Sequence, residues 1–103
     1  MLMNSSLKDK VIEVIETNEN MFAVFDNIYL FGSILRRESV PNDIDILCIY
    51  SCYPDKLVEA VNAIRAILEM ELRHPIDLTV LSVNEEKDVG FLKRLNFLYL
   101  KLK

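Results

Sequence analysis

The sequence predicts a small α/β (α+β) domain in which helices flank a short sheet. Segments with apolar residues at helical spacing alternate with short runs of β-branched and aromatic residues. In addition, 51% of the residues are hydrophobic and 27% are charged, which is typical of globular chains. The length of 103 residues suits one domain. We therefore expect a single domain over residues 1–103.

The first two predicted elements are a helix and a short strand. A helix is expected over residues 5–20, because four apolar residues share one stripe at helical spacing. These are Leu7, Val11, Val14 and Ile15. Residues 28–31 (IYLF) predict a strand that ends at Gly32 and Ser33. A short helical turn and a loop with Pro41 are expected to follow.

A strand, a long helix and another strand come next. Residues 43–50 (DIDILCIY) are rich in β-branched and aromatic side chains and predict a strand. A helix is predicted from Pro54 and Asp55 onward, with one continuous apolar face. That face comprises Leu57, Val61, Ile64, Leu68 and Leu72. Pro75 follows the helix, and residues 76–81 (IDLTVL) predict a further strand.

The remaining C-terminal residues are predicted to form one last helix. Ser82 and Glu85 make the S-x-x-E pattern of a capping box at its start. Lys101 and Lys103 suit the negative end of its dipole. One apolar stripe is expected to pack on the sheet, namely Phe91, Leu95, Leu98 and Leu102.

Phe97 and Leu100 lie off that stripe of the predicted helix. Apolar groups on several sides of a helix indicate burial on more than one side, and a chain this short has little core left to cover them. We therefore expect a protein interface at the C-terminus, formed with a second copy or with a helical partner.

The charge and the termini exclude several classes of protein. The formal net charge of −4 disfavours nucleic-acid binding, whose affinity comes mainly from Lys and Arg on phosphates. The N-terminus lacks the pattern of a signal peptide. No apolar run approaches the roughly 20 residues of a membrane span. We expect a cytoplasmic protein that binds neither membranes nor nucleic acid.

The two cysteines and the single histidine are interpreted as structural. Cys48 and Cys52 fit neither a disulfide framework nor a zinc pattern, so we expect both to be packing residues. His74 stands at the predicted end of the long helix, where a cation interacts favourably with the helix dipole.

Three aspartates lie in or beside predicted strands, where Asp is uncommon. Asp43 and Asp45 are two residues apart and therefore project from the same face. Asp77 lies between Ile76 and Leu78 on the later strand. If the two strands are neighbours, three like charges converge and destabilise the sheet. A bound Mg²⁺ ion would remove that penalty, because it prefers carboxylates, water and substrate phosphates.

A second chemical feature follows the IYLF strand. Gly32 allows the backbone to approach a ligand closely, and Ser33 adds a hydroxyl donor. Backbone N–H groups at the start of a helix attract phosphate oxygens. Arg36 lies one turn further and can contact a polyphosphate.

Together these residues resemble the nucleotidyltransferase superfamily of the DNA polymerase β type. The family pattern is apolar-G-[GS], a short loop, D-apolar-[DE]-apolar, and an acid on a later strand. Here Phe31-Gly32-Ser33 is followed after nine residues by Asp43-Ile44-Asp45-Ile46, and later by Ile76-Asp77-Leu78. The chain is most similar to the minimal nucleotidyltransferases (MNT) that act as antitoxins of HEPN proteins. Arg36 matches an arginine of their G-S-R-A-R-G loop, whereas Ile34 stands in place of the first one.

The resemblance implies a polymerase β-like core with a small mixed sheet and assigns roles to the six residues. Asp43, Asp45 and Asp77 would be the catalytic and metal-binding residues and would hold two Mg²⁺ ions. Gly32, Ser33 and Arg36 would bind the substrate, a nucleoside triphosphate. The implied reaction moves AMP from ATP to a hydroxyl of a partner protein, here a helical HEPN-like protein.

Two other hypotheses remain open at this point. The chain could be a non-catalytic module of the same fold that neutralises a toxin by binding alone. It could also be an unrelated α/β domain with coincidental acids, because short motifs produce false positives.

Overall fold

The computed structural model describes residues 5–36, 42–53 and 55–103. Its helices are α1 (Ser5–Thr17), α2 (Leu57–Leu72), α3 (Val83–Val89) and α4 (Phe91–Arg94). Its strands are β1 (Asn27–Phe31), β2 (Ile44–Tyr50), β3 (Ile76–Ser82) and β4 (Tyr99–Lys101). A 3-10 helix, Gly32–Leu35, directly follows β1, where a helical turn at 34–37 was predicted. Arg37, Pro41 and Pro54 lie outside the described residues.

The four strands form one mixed sheet in the order β3-β2-β1-β4. β1 is antiparallel to both of its neighbours, and β2 is parallel to β3. Parallel neighbours require a crossover, which α2 supplies on one face of the sheet. The small mixed sheet with flanking helices confirms the predicted fold class. Among the described residues, no helix has the length and apolarity that a membrane crossing requires.

The main core lies between the sheet and the helices α1 and α2. Alternate residues of β2 point into this core, and they are Ile44, Ile46, Cys48 and Tyr50. The predicted face of α2 meets them, with Ile64, Leu68 and Leu72 buried and Val61 half-buried. The opposite face of the sheet carries a smaller cluster around Leu47 and Ile49, which α3 and α4 partly cover. Asp45 is on this second face, because side chains alternate along a strand.

The predictions for Cys48 and Cys52 have different outcomes. Cys48 is buried in the main core, and this burial raises the pKa of its thiol to about 12. Cys52 is exposed, because it follows the end of β2, so the prediction that it is a packing residue is wrong. His74 lies just beyond α2 as predicted, with Nδ1 2.7 Å from the carbonyl oxygen of Leu72.

The prediction of one long C-terminal helix is wrong. Its capping box is present, since Ser82 Oγ accepts a hydrogen bond of 3.0 Å from the Glu85 N–H. However, Gly90 adopts a left-handed conformation with φ +62° and ends α3. Asn96 and Phe97 also have positive φ and turn the chain toward β1, so that Tyr99–Lys101 forms β4 instead of a helix.

The apolar stripe predicted for a C-terminal helix is therefore absent, and successive side chains of the edge strand β4 point to opposite faces of the sheet instead. Leu100 and Leu102 pack against the main core, which contradicts the prediction that Leu100 is part of an exposed interface. Leu98, predicted to pack on the sheet, is 71% exposed. Phe97 is 78% exposed, as the interface prediction requires, but it lies in a turn.

Candidate active site

The sheet register places the predicted acidic residues side by side. In the parallel pair β2–β3, Asp45 lies directly opposite Asp77. Asp43 precedes the first residue of β2 and shares the face of Asp45. Each of the three carboxylates offers an oxygen, and these oxygens all lie within 4.8 Å of one another. The structure therefore brings together all three aspartates that were predicted from separate segments.

The three carboxylates differ in their exposure to solvent. Asp43 and Asp77 are exposed, whereas Asp45 is half-buried at the centre of the cluster. The pKa of Asp45 is raised from its ordinary value to about 6, mainly by burial and then by the nearby charges of Asp77 and Asp43. The cluster thus concentrates negative charge that a cation would neutralise.

The turn after β1 packs against the Asp45 side chain of this cluster. Gly32 has φ +86°, which L side chains rarely adopt. A Cβ atom at this position would collide with Oδ2 of Asp45 and would lie 3.1 Å from its Cγ. Gly32 is thus required both by the backbone conformation and by the space that Asp45 occupies.

The other two predicted substrate-binding residues follow in the same turn. Ser33 is half-buried, and its carbonyl oxygen accepts a hydrogen bond of 3.0 Å from the Arg36 N–H. Arg36 is exposed directly after the 3-10 helix. Phosphate binding by Gly32, Ser33 and Arg36 stays a prediction, and of these three residues Gly32 lies directly against the Asp45 carboxylate.

One apolar feature of the site was missed by the sequence analysis. Phe31 lies directly opposite Asp45 on β1, and its ring meets that of Phe91 edge-on at a centroid distance of 5.4 Å. Phe31 thus lies beside the acidic cluster, and Phe91 packs against its ring. Phe31 stands in the F-G-S motif and could have been noticed, whereas Phe91 was assigned to a helix that does not continue.

The donor set fits a hard divalent cation. Carboxylate oxygens are the protein ligands that Mg²⁺ prefers, and it usually binds one or two of them together with water and phosphate oxygens. Three oxygens within 4.8 Å of one another provide such a set, and two of the carboxylates are open to solvent. The three aspartates are therefore candidate ligands for Mg²⁺.

No protein-family model and no curated protein match this sequence. Solved structures do share its fold. A chain from the complex of a tri-AMPylated Shewanella oneidensis HEPN toxin with MNT antitoxin has a TM-score of 0.60 at 21% identity. That match covers 98% of this chain and 72% of the other. A toxin–antitoxin complex with AMP-PNP matches with a TM-score of 0.60 and 23% identity, over 92% of this chain and 71% of the other.

A candidate nucleotidyltransferase from Sulfolobus solfataricus shares the fold as well, with a TM-score of 0.55 and 23% identity. That match covers 95% of this chain and 80% of the other. The fold that these structures share with the chain is the nucleotidyltransferase-type fold. Within it, the chain has the fold of the MNT antitoxins. This shared fold disfavours the hypothesis of an α/β domain of another type.

Proposed function

We propose that this protein is a Mg²⁺-dependent nucleotidyltransferase that moves AMP from ATP to a hydroxyl of a partner protein. The observation that carries the proposal is the cluster of Asp43, Asp45 and Asp77 beside the Gly32 turn. Three carboxylates at this distance repel one another, and a bound cation would neutralise that repulsion. A divalent cation and a nucleotide triphosphate account for both features together.

Each residue of the site has a proposed role. Asp43 and Asp45 would hold two Mg²⁺ ions, and Asp77 would help to hold one of them. Bound Mg²⁺ supplies charge neutralisation for the phosphates and for the oxygen that attacks. Gly32 and Ser33 would bind the triphosphate through backbone N–H groups and the Ser33 hydroxyl, and Arg36 would contact its outer phosphates.

The proposed reaction is a single displacement at the α-phosphorus of ATP. The acceptor oxygen forms the new bond to phosphorus, and the bond to the leaving pyrophosphate breaks. Asp77 would take the proton of the acceptor hydroxyl, as the family resemblance implies, and its carboxylate is exposed to solvent. The products are an AMP ester of the acceptor and pyrophosphate.

Two of the solved structures support the choice of nucleotide and partner. One contains AMP-PNP, and another contains a HEPN toxin that carries three AMP groups. By this likeness we propose ATP as the substrate, a helical HEPN-like protein as the acceptor, and an antitoxin role in the cytoplasm.

Label transfer from ATP tests the proposal. The protein is incubated with Mg²⁺ and with a HEPN-like protein whose gene lies beside its own, using either [α-³²P]ATP or [γ-³²P]ATP. We expect label on the partner from the α position and none from the γ position. Asp43→Asn should abolish transfer, whereas Asp88→Asn, a matched change at an exposed aspartate of α3, should not.

The same experiment tests the alternative hypothesis that the protein is a non-catalytic module. A non-catalytic module of this fold would bind the partner without labelling it. Retention of full transfer by Asp43→Asn would show that the acidic cluster is not the catalytic site.

A further inference from the structure

The free edge of β4 has a defined set of outward-pointing backbone groups. Within the described ranges, β4 pairs only with β1 and forms one edge of the sheet. The Leu102 N–H donates to the carbonyl oxygen of Ile28 at 2.7 Å, and Leu100 lies opposite Leu30. Because hydrogen-bonding direction alternates along a strand, the N–H and C=O groups of Tyr99 and Lys101 point away from β1.

The side chains along this edge follow a regular pattern. Leu100 and Leu102 lie on the face of the main core, whereas Tyr99 lies on the opposite face, in the cluster around Leu47. The ring of the exposed Phe97 is 6.4 Å from that of Tyr99. From residue 93 onward the chain has basic residues but no Asp or Glu, although its net charge is −4. The basic residues are Lys93, Arg94, Lys101 and Lys103.

We propose that two copies of this chain associate by antiparallel pairing of their β4 strands about a two-fold axis at Leu100. In this register, Tyr99 of one copy lies opposite Lys101 of the second copy. The two residues exchange both of their outward backbone hydrogen bonds, and the symmetry repeats the exchange on the other side of the axis. Leu100 then lies opposite its own symmetry mate.

The sequence around Leu100 is self-complementary in this register. Each Lys101 ammonium lies beside the aromatic ring of Tyr99 from the other copy, which is a favourable cation–π arrangement. Leu98 lies opposite Leu102 of the second copy, so that its exposed side chain is covered. Lysine at an edge strand normally prevents pairing, but here no lysine lies directly opposite another, and the two Lys101 residues are only diagonal neighbours.

Neighbouring registers are less favourable. An axis at Lys101 would set the two Lys101 ammonium groups directly opposite each other, which is destabilising. An axis at Tyr99 would require Phe97 to continue the ladder, although Phe97 has φ +64° and is not extended. The axis at Leu100 is the one that pairs every outward group of β4 with a compatible partner.

A dimer of this kind joins the two sheets into one continuous sheet. A two-fold axis perpendicular to the sheet places equivalent faces of the two copies on the same side of the joined sheet. Both acidic clusters therefore lie on that side. The ladder is only three residues long, so the interface is small and the association weak. This proposal does not depend on the proposed function, because no residue of the acidic cluster contributes to it.

Sedimentation velocity of the purified chain over about 10 µM to about 1 mM tests the proposal, since small interfaces associate in this range. We expect a reversible monomer–dimer equilibrium. Lys101→Pro removes the outward N–H without affecting the bonds to β1, and it should weaken dimerisation by about 10-fold or more. Lys101→Arg keeps the N–H and the cation, and should dimerise like the wild type.

A second variant covers the case in which Lys101→Pro fails to fold, which circular dichroism would reveal. Leu98→Lys changes a side chain that is 71% exposed, so the fold should tolerate it, and it should also weaken the dimer. A wild-type chain that stays monomeric at the highest concentration would overturn the proposal. So would a dimer that both Leu98→Lys and a folded Lys101→Pro leave unchanged, because the interface would then lie elsewhere.

Discussion

Gly32 lies so close to Asp45 that the carboxylate occupies the position where a side chain at residue 32 would begin. The turn after β1 and the central acid of β2 are therefore one unit, although thirteen positions separate them in the sequence. The Asp45–Asp77 pairing across β2 and β3 extends this unit to a third segment. Any change at Gly32 should consequently affect the acidic cluster before it affects the rest of the fold.

Substitution of Gly32 by alanine tests this relationship. Gly32→Ala should displace the Asp45 carboxylate and strain a backbone with φ +86°. We expect a loss of about 1–3 kcal/mol in the free energy of unfolding, together with weaker Mg²⁺-nucleotide binding in isothermal titration. Gly90→Ala is the matched control, because φ is +62° there but the nearest atom lies 4.0 Å from the added Cβ. Gly90→Ala should be less stable than the wild type but should bind Mg²⁺-nucleotide equally well. Equal losses of binding in both variants would contradict a specific contact between Gly32 and Asp45.

The raised pKa of Asp45 predicts a pH dependence of stability in the metal-free protein. Its pKa rises from 3.8 to about 6 through burial and the charges of Asp77 and Asp43, so the folded state binds more protons than the unfolded state between these values. The free energy of unfolding should therefore fall as the pH rises from about 4 to about 6. The contribution is on the order of 1 kcal/mol, because solvent screens this half-buried group.

Denaturant unfolding at pH 5 and pH 7.5 measures this contribution. Asp45→Asn has no carboxyl proton to lose, so its free energy of unfolding should fall less over the same interval. If wild type and Asp45→Asn show the same pH dependence, the repulsion within the cluster is smaller than the structure indicates.

Mg²⁺ should stabilise the folded protein through the acidic cluster. A ligand that binds only the native state adds about 2.7 kcal/mol at a concentration of 100 Kd. We expect a Mg²⁺-dependent rise in Tm for the wild type and for Asp88→Asn, and little or none for Asp43→Asn. Without metal, Asp43→Asn should be at least as stable as the wild type, because it removes one of three like charges. A full Mg²⁺ response in Asp43→Asn would argue against this residue as a ligand.

The core face of α2 should carry much of the stability of the domain. Leu68 is fully buried among sheet residues, so Leu68→Ala should cost about 2–5 kcal/mol in the free energy of unfolding. Met70 is two residues away on the same helix and is 67% exposed. Met70→Ala should stay within about 0.5 kcal/mol of the wild type. Similar losses in both variants would contradict burial as the cause, and helix propensity could not explain them, because Ala is the best helix former.

The sequence by itself determined the elements whose periodicity has only one interpretation. The α2 stripe repeats at helical spacing over 16 residues, and β2 is rich in β-branched and aromatic side chains. Asp43 and Asp45 share a face because side chains alternate along any strand. The F-G-S and D-x-D motifs were visible without a structure, because each is a local pattern.

Only the tertiary structure decided what depends on contacts between distant segments. Asp77 joins the cluster because the α2 crossover sets β3 parallel to β2 in a register that no local pattern specifies. The C-terminal leucines fit a helical stripe and a strand alternation equally well. Gly90 ended the helix, and the open edge of β1 then supplied hydrogen-bond partners to Tyr99–Lys101. Strand pairing therefore overrode the local helical pattern, because β1 satisfies the backbone groups of β4 while Leu100 and Leu102 pack against the main core.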